Sequence, residues 1–415
     1  MKAIYSALFF VFFTSLTQAQ NAFITQWQTS SNVDGHPYVT IPTHLNETYN
    51  YDVDWGDGTT YTNQIGDATH VYASSGTKTV TITGGFPRIY LNSGLESPKI
   101  TSIDQWGTGT WTSMEQAFYG AENLVMTATD IPDLSLVTSM EEMFRNALIF
   151  NGDISGWNTS NVTTMVGMFY DAKAFNQDIG GWNTSNVTNM NSMLRGTEDF
   201  NQDIGSWDVS SLTNAVNMFR DAAVFNQDIG GWNTSSVTDM NSMFRDADVF
   251  NQDIGSWNVS SLTNAPNMFL GVTLSSENYD ALLAGWAAQT PLKAGVNFHG
   301  GNSKYCANGG SNRAVLIDTH GWSITDGGAC TNLNVTEASL SNPTIFLQPN
   351  PAKEQFYIKG LKEKTLLRSY DPRGSLLLER EYTSGTPVDI STWASGLYTV
   401  QLINSQGIQT RRLVK

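Results

Sequence analysis

Charged residues and cysteines are both scarce in this sequence. Lys+Arg number 22 and Asp+Glu 38 in 415 residues, so charged residues make up only 14% and the formal net charge is -16. Nucleic acids bind to basic surfaces, so a chain this acidic is expected to have no nucleic-acid partner. Aromatic residues make up 11%, including 12 Trp, which is too many for a disordered chain. The composition therefore predicts folded domains.

Long apolar runs are absent except near the first residue. Residues 1–19 contain Lys2, an apolar run over 4–13 interrupted only by Ser6, and small residues around Ala19. This pattern predicts a secretory signal peptide cleaved after Ala19. A membrane anchor is the alternative, but the run is shorter than the about 20 residues that span a bilayer. We expect an exported protein with no transmembrane span in the mature chain.

The two cysteines, Cys306 and Cys330, lie in a glycine-rich stretch. In an oxidising compartment such a pair is expected to form one disulfide, which would stabilise the fold by about 3 kcal/mol. A metal site is the alternative, but only His320 lies between the cysteines and no CxxC spacing is present.

A repeat of 25 residues fills the middle of the chain. Phe-Asn recurs at 150, 175, 200, 225 and 250, and Trp recurs at 157, 182, 207, 232 and 257. A fixed period in this range indicates a solenoid. In each unit the segment FNQDIGSW predicts a strand, and the Met-x-x-Met segment that follows predicts a short helix. The sequence therefore predicts a repeat solenoid over 98–275, with one strand plus one short helix in each 25-residue coil.

Two small all-β sandwich domains are expected to flank the solenoid. Alternating apolar residues broken by Asp-Gly and Ser-Gly turns predict one in 20–97, and short apolar runs between Gly and Pro predict another in 345–415. Residues 276–330 are predicted to cap the solenoid, and 331–344 to form a linker. Residues 345–415 contain 10 basic and 6 acidic residues, a net of +4 that leaves -20 for 1–344, and this change of sign marks a boundary.

Three segments resemble known families. The pattern VTxMxxMFxxAxxFNQDIxxWxxSS resembles bacterial surface proteins with BspA-type leucine-rich repeats, with Met and Phe here in place of Leu, and 276–330 resembles the cap that closes such arrays. The WGDG and HVY motifs of 55–72 resemble PKD-like modules. Residues 345–415, with PNP, DPRG and GLYTVQL, resemble the C-terminal sorting domain of the type IX secretion system. These resemblances imply a leucine-rich-repeat-like fold, handling by the type IX machinery, display at the outer-membrane cell surface, and adhesion or ligand binding.

The polar residues of the predicted strand face are the candidate ligand-binding residues. Together with exposed Asn, Thr and Ser of the turns, they recur in every coil, so weak single contacts would combine into avidity. The candidates are Asn176, Gln177, Asp178, Asn201, Gln202, Asp203, Asn226, Gln227, Asp228, Asn251, Gln252 and Asp253.

The aspartates of this set would form a ladder of like charges if strands stack about 4.8 Å apart. Neighbouring carboxylates repel by roughly 1 kcal/mol in water, so other groups must offset the repulsion. Hydrogen bonds from backbone amides are the favoured explanation, and bound Ca²⁺ is the alternative. No other cofactor is expected.

Catalysis is not expected from these residues. The repeated aspartates lack a differentiated partner that would make one an acid and another a base, and the five histidines have no recognisable nucleophile beside them. The periodic tryptophans are either core residues or platforms for sugar rings, and their strict period favours the core. We therefore expect a secreted, non-enzymatic cell-surface adhesion protein that binds extracellular glycans or proteins. A structural spacer or surface-layer element without a specific ligand is the alternative.

Overall fold

The computed structural model describes residues 21–29, 37–306, 309–330, 345–361, 364–371, 375–404 and 407–415. The predicted signal peptide at 1–19 and the predicted linker at 331–344 lie outside these residues. The chain divides into two compact units, Met1–Cys330 and Thr331–Lys415. Each unit has its own hydrophobic core.

The first part of the first unit is built from β-strands. They are β1 (Phe23–Thr29), β2 (Tyr38–Ile41), β3 (Asn50–Asp54), β4 (Thr60–Gln64), β5 (Ala68–Val71), β6 (Gly76–Gly85), β7 (Ile100–Gln105) and β8 (Val125–Met126). Six strands form one sheet in the order β4-β3-β6-β1-β7-β8, and β2 pairs with β5. Every second residue of β1 is buried, as the period of a strand requires. Because β7 and β8 belong to this sheet, it extends into the region that was predicted to be repeats.

The repeats themselves contain no regular secondary structure. Residues 127–275, all of them described, include neither a strand nor a helix. Single parallel bridges join consecutive repeats, for example from Thr164 to Asn189 and from Asn189 to Asn214. The strands of the described chain lie in five separate sheets, none of them closed, and its α-helices are α1 (Ser276–Ala287) and α2 (Gly309–Ala314). The predicted fold class, a leucine-rich-repeat-like strand-plus-helix solenoid between two sandwiches, is therefore wrong.

The Met-x-x-Met segment does not form a helix because alternate backbone N–H groups donate to the next repeat. The N–H of Met165 donates to the carbonyl of Asn189 at 3.0 Å, and that of Phe169 donates to the carbonyl of Met193 at 2.9 Å. Gly167 between them has a φ of 56°, whereas a right-handed helix needs a negative φ at every residue. The equivalent positions of the other repeats are also left-handed: Gln116, Glu142, Ser192, Asn217, Ser242 and Asn267.

The FNQDIGSW segment does not form a strand because the chain turns after the aspartate. Asp178 Oδ1 accepts a hydrogen bond from the N–H of Gly180 at 2.9 Å. The N–H of Trp182 then donates to the carbonyl of Ile179 at 3.2 Å. Two local bonds of this kind fold the chain back on itself, so the segment cannot stay extended.

Aromatic side chains of successive repeats stack in columns inside the first unit. The ring centroids of Phe175 and Phe200 are 5.9 Å apart with ring planes at 3°. Those of Trp207 and Trp232 are 6.3 Å apart with ring planes at 7°. Burying each such side chain contributes about 1.5–3 kcal/mol. Because the buried faces meet only those of adjacent repeats, the stability of each repeat depends on its neighbours.

Both ends of the repeat array are covered. Trp106, which follows β7, packs edge-on against Trp157 with ring centroids 5.5 Å apart. At the other end, Ser275 caps α1, and Trp286 of that helix extends the tryptophan column by donating its indole N–H to the carbonyl of Ile254. The rest of the cap consists of α2, a π-helical turn (Val315–Thr319) and the parallel strands β9 (Asn297–His299) and β10 (Ser323–Thr325).

The second unit is all β. Its strands are β11 (Phe346–Gln348), β12 (Gln355–Lys359), β13 (Thr365–Tyr370), β14 (Leu376–Tyr382), β15 (Val388–Asp389), β16 (Leu397–Asn404) and β17 (Gly407–Val414). One sheet has the order β11-β12-β15 and the other β14-β13-β16-β17. Buried residues of both sheets, such as Phe356, Leu367 and Val400, form a single core.

Candidate binding surfaces

The predicted asparagines and glutamines join one repeat to the next. Asn176 Oδ1 accepts hydrogen bonds from the backbone N–H of Asn201 at 3.0 Å and from Nε2 of Gln202 at 2.9 Å. The same two bonds recur along the array, on Asn151, Asn201 and Asn226, from the pairs Asn176 and Gln177, Asn226 and Gln227, and Asn251 and Gln252. The structure thus brings these predicted residues into one column, where each asparagine oxygen already accepts two hydrogen bonds.

The last asparagine of the column bonds to the cap. Asn251 Oδ1 accepts from the N–H of Ser275 at 2.8 Å and from Nδ2 of Asn278 in α1 at 3.1 Å. Helix α1 therefore replaces the next repeat and satisfies the same acceptor.

The predicted aspartates are exposed, and one carboxylate oxygen of each accepts a hydrogen bond. Asp203 Oδ1 accepts from the N–H of Gly205 at 2.9 Å, and Asp178, Asp228 and Asp253 repeat this bond. In Asp153, at the same position, the hydroxyl and the N–H of Ser155 both donate to the carboxylate and lower its pKa. A backbone N–H therefore donates to each of these carboxylates, and the offset of like charges along the column stays a prediction. Among the described residues, no group of three or more His, Cys, Asp or Glu side chains could hold a metal ion.

The periodic tryptophans are core residues. Trp182 is 4% exposed, and its Nε1 donates to the carbonyl of Ile154, in the preceding repeat, at 3.1 Å. Its equivalents are buried in the same way: Trp157, Trp207, Trp232 and Trp257. The prediction that they belong to the core is confirmed, so these indoles provide no exposed platform for a sugar ring.

Two further polar columns are exposed in the turns. Asn183 Oδ1 accepts from the N–H of Ser185 at 3.1 Å, and Thr188 donates both its N–H and its hydroxyl to the carbonyl of Thr163. In the equivalent Asp208, hydrogen bonds from Ser210 lower the pKa of the carboxyl. The exposed members are Asn158, Asn183, Asp208, Asn233 and Asn258, and Thr138, Thr163, Thr188, Thr213, Thr238 and Thr263. Each column therefore presents similar groups, fixed by hydrogen bonds, at a regular interval.

A column of arginines and tyrosines, which was not predicted from the sequence, also runs along the repeats. Tyr170 lies between Arg145 and Arg195, with both guanidinium carbons 4.6 Å from its ring centroid. This arrangement allows cation–π attraction on both ring faces. We call the set the Arg–Tyr column; it comprises Tyr119, Arg145, Tyr170, Arg195, Arg220 and Arg245. The signal was available, because these residues recur at the same 25-residue period from 145 onward.

Acidic side chains accompany the Arg–Tyr column. Asp221 Oδ2 lies 3.5 Å from Nε of Arg195 and 3.3 Å from Nε of Arg220. Asp246 Oδ2 accepts a hydrogen bond from Nε of Arg245 at 3.1 Å. Burial raises the pKa of Asp171, next to the column, although Arg195 opposes the shift. Each of Arg195, Arg220 and Arg245 therefore has an acidic side chain beside its Nε.

A cleft of about 510 Å³ opens where the last repeat meets the cap. It is lined by Gly255, Ser256, Asn258, Ser260, Gly285, Gln289, Thr290 and Pro291. Gln289 is held in place, because its Nε2 donates to the carbonyl of Trp257 and its Oε1 accepts from the N–H of Val259. The lining is uncharged, and half of it comes from the last repeat and half from the residues that follow.

The cap contains the predicted disulfide. Cys306 and Cys330 are bonded, with their Cα atoms 5.2 Å apart, so the disulfide prediction is confirmed. Nearby, the buried carboxylate of Asp326 accepts from the hydroxyl of Tyr279 at 2.8 Å and from Nε of Arg313 at 2.7 Å. These contacts tie α1 and α2 to the segment after β10.

Comparisons with known proteins identify two regions. Residues 92–193 and 177–282 each match the family model described as Mycoplasma protein of unknown function, DUF285. Residues 346–415 match the model of the secretion system C-terminal sorting domain. No curated protein matches the chain significantly. In the part of the chain that the structure describes, no helix combines the length and the apolar character needed to cross a membrane. The sorting domain, of the type IX system, indicates that the protein is exported and attached at the cell surface.

Proposed function

We propose that this protein is a non-enzymatic binding protein of the cell surface that uses its repeats for multivalent adhesion to extracellular glycans or proteins. One observation carries the proposal: exposed polar side chains recur at the same positions of successive repeats, held by the same hydrogen bonds. Asp203 and Thr188 illustrate this arrangement. Groups fixed in this way lose little conformational entropy when a ligand binds.

The repeated positions would make the binding multivalent. A ligand with repeated groups that contacts one repeat is held at high effective concentration near the next, so weak contacts sum to a long-lived complex. The columns of near-copies also argue against catalysis, because no carboxylate is differentiated from its neighbours as an acid or a base. The resemblance to BspA-type surface proteins agrees with this function, and the resemblance of 20–97 to PKD-like modules stays a prediction.

The geometry of the ends argues against a surface-layer element that assembles through its repeats. A surface layer that grows through its repeats needs free ends, whereas Trp106 covers one end and α1 covers the other. Asn251, the last acceptor of the asparagine column, is satisfied by Asn278 within the same chain.

The full chain, tested on a panel of immobilised glycans and matrix proteins, provides the experiment. We expect saturable binding to at least one member of the panel. The folded state is verified by circular dichroism in the same preparation. If folded protein binds no member of the panel, the adhesion function is rejected and the structural spacer is favoured.

A further inference from the structure

The Arg–Tyr column has guanidinium groups whose Nη atoms make no hydrogen bond to the described residues. The ion-pair contacts of Arg195 and Arg220 with Asp221, and of Arg245 with Asp246, are made by Nε, at 3.5, 3.3 and 3.1 Å. Within the described residues, their Nη atoms have no hydrogen-bond partner. A guanidinium can bind a carboxylate or sulfate with two parallel bonds, and the pair of Nη atoms offers one edge for this.

The exposure of these side chains agrees with an outward-facing end. Arg195 and Arg220 are 24% exposed and Arg245 is 33% exposed. The Nε atoms of Arg195 and Arg220 are buried, so the exposed part includes the outer end of each guanidinium. Stacking of Arg195 on Tyr170 restricts one of these groups further.

The spacing of these arginines is regular. Phe219 and Phe244 directly precede Arg220 and Arg245, and their ring centroids are 5.5 Å apart. Consecutive guanidinium groups are therefore carried by backbone positions separated by one repeat. A polymer with an anionic group on each residue, or on every second residue, could engage several of them in succession.

We propose that the Arg–Tyr column binds an acidic polysaccharide, whose carboxylate or sulfate groups pair with the Nη atoms of Arg195, Arg220 and Arg245. This inference rests on the proposed function and names its ligand class. A folded protein is the less suitable partner, because the column is a single row of equally spaced cations rather than a patch with an apolar centre. Nucleic acid is another polyanion, and its binding is an outcome that the experiment separates from binding of the polysaccharide.

Asp221 makes the proposal testable in two directions. It lies beside both Arg195 and Arg220 and competes for them with an incoming anion. Removal of an arginine is therefore expected to weaken binding, whereas Asp221→Asn is expected to strengthen it. A purely structural role for the column would not produce an increase in affinity.

The experiment measures binding of the full chain to hyaluronan, chondroitin sulfate, neutral dextran and double-stranded DNA. The variants are Arg220→Gln with Arg245→Gln, Asp221→Asn, and Lys293→Gln with Lys304→Gln, the last removing two exposed positive charges from the cap of the same unit. We expect wild-type binding to an acidic polysaccharide that falls with salt, at least about tenfold weaker binding in the arginine pair, and tighter binding in Asp221→Asn. The lysine pair is expected to bind as the wild type does.

Three results would overturn the inference. The first is that the wild type binds neither acidic polysaccharide. The second is that the lysine pair loses as much affinity for the polysaccharide as the arginine pair. The third is that the wild type binds DNA as tightly as it binds the polysaccharide. If the arginine pair is unfolded by circular dichroism, Arg220→Lys with Arg245→Lys replaces it, because it retains the charge and loses the two-bond geometry. Binding to neutral glycans or proteins alone would leave the proposed function intact and reject only this ligand class.

Discussion

Asn176 Oδ1 accepts a hydrogen bond from the backbone N–H of Asn201 at 3.0 Å, one repeat further along the chain. The side chain of one repeat thus supplies the acceptor that a neighbouring strand would supply in a sheet. This relationship explains how repeats without strands remain in register, and it explains why the sequence retains Asn after Phe in every unit.

Replacing a column asparagine is expected to destabilise the first unit. Asn201→Ala leaves the N–H of Asn226 and the Nε2 of Gln227 without their side-chain acceptor. Each half-exposed hydrogen bond contributes about 1 kcal/mol, so we expect a loss of roughly 1–3 kcal/mol in urea unfolding. Asn201→Asp keeps a side-chain oxygen that can accept both hydrogen bonds and serves as the control. Equal stability of Asn201→Ala and the wild type would contradict the role assigned to the column.

The glycine pair in the turn provides a matched test of packing between repeats. A Cβ on Gly230 would lie 2.6 Å from the carbonyl oxygen of Asp253, whereas a Cβ on Gly231 would meet no atom within 4 Å. Gly230→Ala is therefore expected to cost about 1–3 kcal/mol in thermal or urea unfolding. Gly231→Ala is expected to be neutral, because Ser occupies the equivalent position at 206. Similar effects of the two substitutions would show that repeats are not packed as described.

The pH dependence of the first unit is expected to include a contribution from Asp57. A hydrogen bond from His70 Nε2, at 2.9 Å, lowers the pKa of Asp57 to about 2. A carboxyl with a lowered pKa stabilises the folded state above its ordinary pKa, and this stability is lost as the pH falls from about 4 to 2. Asp57→Asn is therefore expected to lose less stability than the wild type over that range. The measurement is the urea midpoint at pH 2, 3, 4 and 6, and parallel curves would contradict the expectation.

The disulfide is expected to stabilise the cap. Cys306 and Cys330 are 24 residues apart, and removing a cross-link over a loop of this length costs about 3 kcal/mol in the chain-entropy account. Cys306→Ser with Cys330→Ser is expected to lower the unfolding midpoint of the first unit. Reduction of the wild type should reproduce the shift, and reduction of the variant should change nothing. If neither the double substitution nor reduction changes the unfolding midpoint, the disulfide does not stabilise the cap.

Some features were predictable because the sequence marks them clearly, either by a strict repeat or by a residue type that occurs only twice. The 25-residue period placed Trp182 and Phe175 in the core, and the pair Cys306 and Cys330 gave the disulfide. The secondary structure of each repeat was not predictable from local pattern. The Met-x-x-Met spacing is typical of a helix, but Ser192 is left-handed and Phe169 donates its N–H to the next repeat. Such bonds connect residues 24 apart, so no local window contains both partners.

The candidate site was predictable in part for the same reason. The recurring Asn, Gln and Asp indicated that these side chains lie at equivalent positions of successive repeats. The sequence did not show that Asn176 Oδ1 accepts hydrogen bonds from Asn201 and Gln202 of the next repeat. The Arg–Tyr column was overlooked because Arg145 and Tyr170 differ in residue type. Their equivalence appears only when position within the repeat is compared.

The most direct test of multivalent binding compares proteins with different numbers of repeats. Residues 176–225 form two repeats, so their deletion joins Phe175 to Asn226 and keeps the Phe-Asn register. The deletion variant, the wild type and a variant with this segment duplicated are compared on the panel member that gives the strongest wild-type signal, by the dissociation rate. Multivalency predicts faster dissociation after deletion and slower dissociation after duplication. Equal dissociation rates in all three folded proteins would contradict it and place the binding site outside the repeats.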